Sequence, residues 1–375
     1  MLIKLRSAVE KTVDKKRLQP VRVDDLIPGM SLGTDVFAAN GTFLLAKGTV
    51  INESSINLLE SNYIFSVYID EKPHVHSERE KEMLTRSERI RLSPEFAEFR
   101  KNFEATVESI EEQLNDIVYK NVETLDTDGL VQKPLDLLTG YSTADIFDML
   151  HNLRRYDDTT YVHSVNVSLI SGIIARWCGL NDEDVQTAIL TGVLHDIGKI
   201  RIPDSIIKKP GKLTKDEFKI VKNHTVEGYR ILQRCKNADE NMKYAALMHH
   251  ERCDGMGYPM GLKASQINTF AKIVAIADVY DAMTSARCYR GPICPFTVID
   301  IMIQEGLAKY DTLFIMNFLQ HMGETYLNNN VRLSDGETGE IVFIDGNQPS
   351  KPILKMDDGT ILPLRESPLK IEAIL

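Results

Sequence analysis

The chain has 375 residues, more than one ordinary domain holds, with 43% hydrophobic and 26% charged residues, an ordinary globular composition. Its formal net charge of −10 argues against nucleic acid polymers or an anionic membrane as partners. A small anionic ligand stays compatible, because bound cations and a few basic side chains can reverse the local field.

The five cysteines, Cys178, Cys235, Cys253, Cys288 and Cys294, are scattered and show no CxxC spacing. This points to a reducing compartment and away from a zinc-thiolate site. No apolar run approaches the ~20 residues that span a bilayer. The first residues, MLIKLRSAVEKTVDKKRLQP, are amphipathic and lack a signal-peptide core. A cytoplasmic location is expected by elimination.

Taken in chain order, residues 1–75 predict a small α+β accessory domain. Asn40-Gly41 sits between apolar stretches as a hairpin turn. The stretch from Asn52 to Ser61 reads as a short helix, and Ile64 to Ile69 as a strand. This domain is either regulatory or an inert folding partner. Residues 76–139 predict a linker and a long helix; His74 and His76 lie in the charged run at their edge and read as solvated. The long helix is expected to start at Ser93-Pro94. Phe96, Phe99, Phe103, Val107, Ile110, Leu114 and Val118 form one apolar stripe, suited to packing on the chain's own core or to a dimer seam.

Residues 140–330 read as almost wholly helical, and residues 331–375 as a small β appendage punctuated by Asp335-Gly336, Asp345-Gly346 and Asp358-Gly359. The fold class is therefore mainly α.

Two adjacent pairs dominate the helical part: His195-Asp196 and His249-His250. A helix after Leu180, capped by Asn181 or Asp182, buries Val185, Ala188, Ile189 and Val193. Asp196 continues that stripe and needs a compensating cation. His195 offers a second ligand from the helix end, and Gly198 lets the backbone turn. Asp278 lies inside the apolar run from Ile273 to Val279; on its own it would cap a helix or pair with an arginine. His163 belongs to a helix from about Tyr161 to Trp177, and His224 stands at another helix start. His249 and His250 point about 100 degrees apart on a helix, so they can reach two different metals. His151 and His321 lack a partner and read as structural. Five imidazoles and two carboxylates suit two divalent metal ions, among iron, manganese, zinc, cobalt and nickel. Asp196 is the candidate bridge, and a hydroxide held between the ions would be the nucleophile of a phosphoryl displacement.

The motif HDIGK from His195 to Lys199, HHERCDGMGYP from His249 to Pro259 and DVYDAMTSARCYR from Asp278 to Arg290 resemble the HD-GYP family of cyclic dinucleotide phosphodiesterases. The match covers roughly residues 140 to 330, and the front segment resembles a small domain that often precedes such catalytic domains. The resemblance implies an all-helical HD-type bundle that opens cyclic di-GMP to linear pGpG and continues to GMP. Some relatives prefer 3′3′-cyclic GMP-AMP, and others keep only a receptor role. The implied metal ligands are His163, His195, Asp196, His224, His249, His250 and Asp278, with iron or manganese the expected metals. Lys199 and Asp196 would be catalytic, Lys199 contacting the scissile phosphate and assisting leaving-group protonation. Arg287 and Arg290 would hold phosphate oxygens, and Tyr258 would line the substrate pocket. A homodimer and signalling partner proteins are compatible partners.

The pattern departs at four places. Thr159, preceded by Asp158, stands where members with a third metal carry glutamate, so two metals are expected. Thr225 and Cys288 replace usual prolines, and Arg201 replaces a frequent glycine, which bears on base or product preference. Read without the motif, Lys199 and Arg290 would be solvated charges, Gly255 and Gly257 turn residues, Asp254 a turn cap and Glu251 a partner for a nearby base.

Overall fold

The structure is a computed structural model. It describes residues 18–23, 26, 30–38, 42–51, 55, 56, 58, 59, 62, 64–70, 85–153, 160–207, 209, 211–285 and 293–375. The chain separates into two compact units, Met1–Ser93 and Pro94–Leu375.

In the first unit, β1 (Leu18–Arg22) pairs antiparallel with β4 (Ser66–Asp70), Leu18 facing Asp70 and Arg22 facing Ser66. A second antiparallel pair joins β2 (Val36–Phe37) and β3 (Phe43–Leu45). The expected turn at Asn40-Gly41 lies outside the described residues, as do His74 and His76. Of the expected helix, Ser55, Ile56, Leu58 and Leu59 are helical. Val23, Leu26, Leu32, Ile51, Leu59 and Val67 form a small apolar core. The unit ends in α1 (Arg86–Arg91), whose start is a capping box: Thr85 accepts from the Glu88 N–H, and Glu88 accepts from the Thr85 N–H. Among its described residues no metal-ligating cluster occurs.

The second unit opens with α2 (Pro94–Tyr119), where proline at the first position gives up an N–H that a helix start leaves unused. Phe96, Phe99, Phe103, Ile110, Leu114 and Val118 are buried against the chain's own bundle, so the stripe serves self-packing. The bundle continues as α3 (Thr127–Gly140), α4 (Thr143–Leu153), α5 (Thr160–Trp177), α6 (Asp182–Leu194), a 3-10 turn (Ile197–Arg201), α7 (Lys215–Lys222), α8 (His224–Gln233), α9 (Glu240–Met248), α10 (Thr269–Thr284), α11 (Pro295–Lys309) and α12 (Thr312–Glu324).

The central element is α5. Every residue from His163 to Ala175 is buried, and α6 and α10 pack along it. A helix apolar on all sides is stable only when it is surrounded. The start of α6 is set by Asn181, which accepts from the Asp184 N–H at 2.9 Å, with acidic residues in the first turn. Asn268 caps α10 through the N–H groups of Phe270 and Ala271. Of the two lone histidines, His321 stacks on Trp177 with ring centroids 5.1 Å apart.

The chain closes with five antiparallel strands: β5 (Asn330–Leu333), β6 (Thr338–Phe343), β7 (Ile353–Met356), β8 (Ile361–Pro363) and β9 (Ile371–Ile374), in the order β8-β7-β6-β5-β9. Tyr326 ties this sheet's approach to the bundle, its hydroxyl 3.0 Å from that of buried Tyr280 and its ring 5.6 Å from Phe296.

Gly198 is required for a different reason than the sequence suggests. Its φ is not in the left-handed region. A Cβ there would lie 1.9 Å from the His224 carbonyl oxygen and 2.6 Å from the Gly228 nitrogen. The glycine lets α8 approach the 3-10 turn backbone to backbone. Gly198→Ala is expected to destabilise the protein by about 3 kcal/mol or more, since backbone cannot move aside as a side chain can. Gly140→Ala, with open space around its Cβ, is expected to stay within about 0.5 kcal/mol. Urea unfolding of the two variants checks this; equal stabilities would refute it.

Candidate metal centre

Five helices and one turn deliver the candidate ligands. His163 comes from the first turn of α5. His195 is the C-terminal cap of α6, and Asp196 follows at the start of the 3-10 turn. His224 opens α8, His249 caps the end of α9 with His250 next, and Asp278 lies in α10. His163, His195, Asp196, His224, His249 and Asp278 are buried, while His250 is partly open.

The Asp196 carboxylate faces two ways. Its Oδ2 lies 3.2 Å from His195 Nε2 and 3.6 Å from His163 Nε2. Its Oδ1 lies 3.3 Å from His224 Nε2 and 3.7 Å from His249 Nε2. Asp278 contacts the first side through Oδ1, 3.0 Å from His163 Nε2, and its Oδ2 is 3.8 Å from His250 Nδ1. Three groups have donor atoms within 4.8 Å of one another: His163, His195 and Asp278; His195, Asp196 and His249; His224, His249 and His250. His249 and His250 thus share one group, although a helix would point them apart. Both stand past the last residue of α9, Met248, with His249 as its C-terminal cap.

The hydrogen bonds fix which ring nitrogens are free. Nδ1 of His195 donates to the Gly192 carbonyl at 2.7 Å, and Nδ1 of His224 to the Val221 carbonyl at 2.6 Å. Nδ1 of His249 reaches the carbonyls of Ala245 and Ala246, each at 3.1 Å. A carbonyl only accepts, so Nδ1 carries a proton in each of these rings, and wherever such a ring is neutral its Nε2 is a lone pair. Burial lowers the pKa of His224 to about 3 and that of His249 well below the usual histidine value, so both rings are neutral. Yet His224 Nε2 and His249 Nε2 lie only 3.2 Å apart. Two lone pairs at that distance repel unless a cation lies between them. His195 Nε2 and Asp196 Oδ1 are also buried without a hydrogen-bond partner. The residues present therefore fit a metal, and nitrogen-plus-carboxylate ligation suits divalent first-row ions.

The electrostatics agree. Burial would raise the pKa of Asp196, but His195 and Lys199 hold it well below the carboxylate range. Burial opposes ionisation of Asp278 as well, but the hydrogen bond from His163 together with the charges of the surrounding imidazoles holds its pKa well below the carboxylate range. Burial pulls His163 down, but its hydrogen bonds to Asp278 and Asp281 raise its pKa to about 9. Burial lowers His250 to about 4.

Lys199 is partly buried and donates to Asp196 Oδ2. Tyr258 stacks on His250, ring centroids 4.7 Å apart. Arg201 faces Glu227 at 3.8 Å. Thr225 is buried and its hydroxyl donates to the Lys222 carbonyl. Arg287, Cys288, Arg290, Asp158 and Thr159 lie outside the described residues.

Sequence reasoning missed two supports. Asp281 accepts from His163 Nδ1 at 2.7 Å and from Asn166 at 3.0 Å, a carboxylate that orients a ligand from behind. Its place three residues after Asp278, on the same face of α10, was the available signal. Among the described residues, buried Glu251 has no basic side-chain partner. It accepts from the N–H groups of Met260 (2.6 Å), Gly261 (3.1 Å) and Leu262 (2.8 Å), and so pins the loop that carries Tyr258. Gly257 in that loop is needed for space, since a Cβ would fall 2.4 Å from Glu251 Cα. Asp254 does cap the turn, accepting from the Met256 N–H at 2.9 Å.

A helical core gathers histidines and aspartates from five helices around one buried carboxylate, a donor set able to hold metal ions. Residues 146–313 match the family model described as HD domain. A cyclic di-GMP phosphodiesterase of Pseudomonas aeruginosa is 38% identical over 207 residues, covering 55% of this chain and 50% of the relative. One from Thermotoga maritima is 45% identical over 150 residues, covering 40% and 41%. A 3′3′-cGAMP-specific phosphodiesterase of Vibrio cholerae is 40% identical over 146 residues, covering 39% and 34%. Over this helical segment the chain is similar to HD domain proteins and to these cyclic dinucleotide phosphodiesterases. The chain spans about half or less of the length of these relatives. No helix among the described residues is long and apolar enough to cross a membrane.

Metal ligation at His163 Nε2 must displace a proton, because Nδ1 is committed to Asp281. With its pKa raised to about 9 from 6.5, metal affinity is expected to climb about tenfold per pH unit between pH 7 and pH 9 and then level off. Below 6.5 the same protonated ring stabilises the metal-free fold, and that contribution disappears as pH rises through about 9. Manganese titrations at several pH values check this; a pH-independent affinity would contradict it. Asp281→Asn should weaken metal binding by about 10–100-fold with the helical circular dichroism retained. Unchanged affinity would show that Asp281 does not support the ligand.

Proposed function

We propose that this chain is a metal-dependent phosphodiesterase that opens cyclic di-GMP to linear pGpG, acting in the cytoplasm. The observation that carries the reading is Asp196, whose two oxygens face separate imidazole sets within a segment 38–45% identical to named cyclic di-GMP phosphodiesterases.

In this reading His163, His195, Asp196, His224, His249, His250 and Asp278 would hold two cations, iron or manganese. Two divalent ions at such a site supply Lewis-acid stabilisation of charge on the oxygens of a phosphoryl displacement. The remaining work falls to the chain. A water oxygen adds to phosphorus and releases a proton to solvent, the bond from phosphorus to the ribose 3′ oxygen breaks, and that oxygen takes up a proton from Lys199, which solvent then restores. Lys199, at the rim of the buried cluster, binds the scissile phosphate and delivers that proton. Tyr258 walls the mouth, and its phenol stays protonated because burial raises its pKa. Arg287 and Arg290 complete phosphate binding with guanidinium forks.

Purified protein loaded with manganese or iron is expected to convert cyclic di-GMP to pGpG, with 3′3′-cyclic GMP-AMP run alongside and products separated by chromatography. His195→Ala and Asp196→Ala should each reduce turnover below detection while leaving the helical circular dichroism intact. Tight nucleotide binding without cleavage under any divalent metal would instead make the chain a receptor.

A further inference from the structure

Lys222 ends α7, one residue beyond Val221, whose carbonyl accepts from His224 Nδ1 at 2.6 Å. Its ammonium lies over two aromatic faces, 4.7 Å from the Tyr258 ring centroid and 4.9 Å from that of Phe218. Tyr258 in turn stacks on His250 at 4.7 Å. Lys222 is thus fixed to the metal cage by two independent struts, the backbone through His224 and a ring stack through His250.

Its surroundings leave the charge free for a ligand. Among the described residues no carboxylate pairs with Lys222, whereas Lys209 pairs with Glu217 and Arg230 with Glu227, each at 2.7 Å. Ring faces attract the cation electrostatically, and they also hold the long side chain in one place. They do not use up its N–H donors as a carboxylate would. In a chain of net charge −10, a half-buried lysine braced this way and left without an acidic partner is a preformed anion contact.

A cyclic dinucleotide carries two phosphodiesters, and only one can be cleaved at a time. The other lies one nucleotide away, beyond the metal ligands, and its charge needs a partner from the protein. We propose that Lys222, clamped between Phe218 and Tyr258, binds the phosphate that is not cleaved. This would make Lys222 a specificity-determining residue that favours a cyclic dinucleotide over a simple diester. The inference rests on the function proposed above.

The test is steady-state kinetics of the full, metal-loaded chain with Lys222→Met and Lys222→Arg. Losing one charge-assisted contact should raise KM for cyclic di-GMP about tenfold or more, with kcat within about twofold and metal content as in the unaltered protein. Lys222→Arg, which keeps the charge, should recover most of the loss. The penalty should be larger for cyclic di-GMP than for bis(p-nitrophenyl) phosphate, which has a single phosphate. An unmoved KM in Lys222→Met would overturn the assignment. So would equal losses of kcat on both substrates with reduced metal content, which would make Lys222 only a brace for His250. An unaltered protein inert toward every cyclic dinucleotide would overturn the proposed function itself, which separates the two failures.

Discussion

A carboxylate without water is the constraint on which this molecule turns. Asp196 is 1% exposed and is ringed by the imidazoles of His163, His195, His224 and His249. An ionised carboxylate in such a place costs several kcal/mol unless charge and hydrogen bonds compensate it. Lys199 supplies one positive charge, and protonated His163 supplies another. Neutral His224 and His249 supply none, and their facing lone pairs add repulsion. The packing of α5, α6 and α10 holds the groups in place, and a cation between the two imidazoles would turn their lone pairs from a repulsion into ligation.

The way the histidines are fixed follows from ordinary helix chemistry. A helix end leaves its last carbonyls without intrahelical partners. His195 stands just past α6 and uses the Gly192 carbonyl; His249 stands just past α9 and uses those of Ala245 and Ala246. His224 borrows the Val221 carbonyl from the last turn of α7. One contact satisfies an orphan acceptor, sets the tautomer and aims Nε2 inward. No separate shell of polar residues is needed for these three. His163 is the exception: it sits in the first turn of α5 and relies on Asp281 from a neighbouring helix instead. Where a histidine falls relative to a helix end thus decides whether its support is local or comes from across the bundle.

That distinction explains what the sequence reveals and what it hides. Periodicity identified α2 and its buried stripe, and an apolar run interrupted by Asp278 or ended by His195-Asp196 flagged the polar groups that burial makes expensive. These signals are local, carried by residues three or four apart on one helix. Asp281 lies on the same face as Asp278, but only the fold brings His163, 118 positions earlier, against it. Glu251 looked like a base-pairing carboxylate because its partners are backbone N–H groups of a non-repeating loop, nine to eleven residues away. Gly198 was legible as a glycine with a role, but its cause is the approach of α8, which no spacing encodes. For His249 and His250 helical geometry predicts divergence; α9 ends at Met248, and the two share one donor group while His249 also joins His195 and Asp196 in another.

The same bundle solves opposite problems on its two sides. Inside, groups of both signs must be held dry and immobile, and this is done with buried backbone and side-chain hydrogen bonds. At the mouth an anionic ligand has to be attracted to a protein that is acidic overall. Summed charge is the wrong quantity for that step, since at 0.1 M salt exposed charges beyond about 10 Å are largely screened. What matters is the sign of the few groups within reach, and there Lys199 and Lys222 stand close to the cluster while Glu227 is taken up by Arg230 and Arg201. A negative chain can therefore present a positive entrance, provided its acidic residues near the site are already paired and its lysines are held by aromatic rings or by the buried carboxylate.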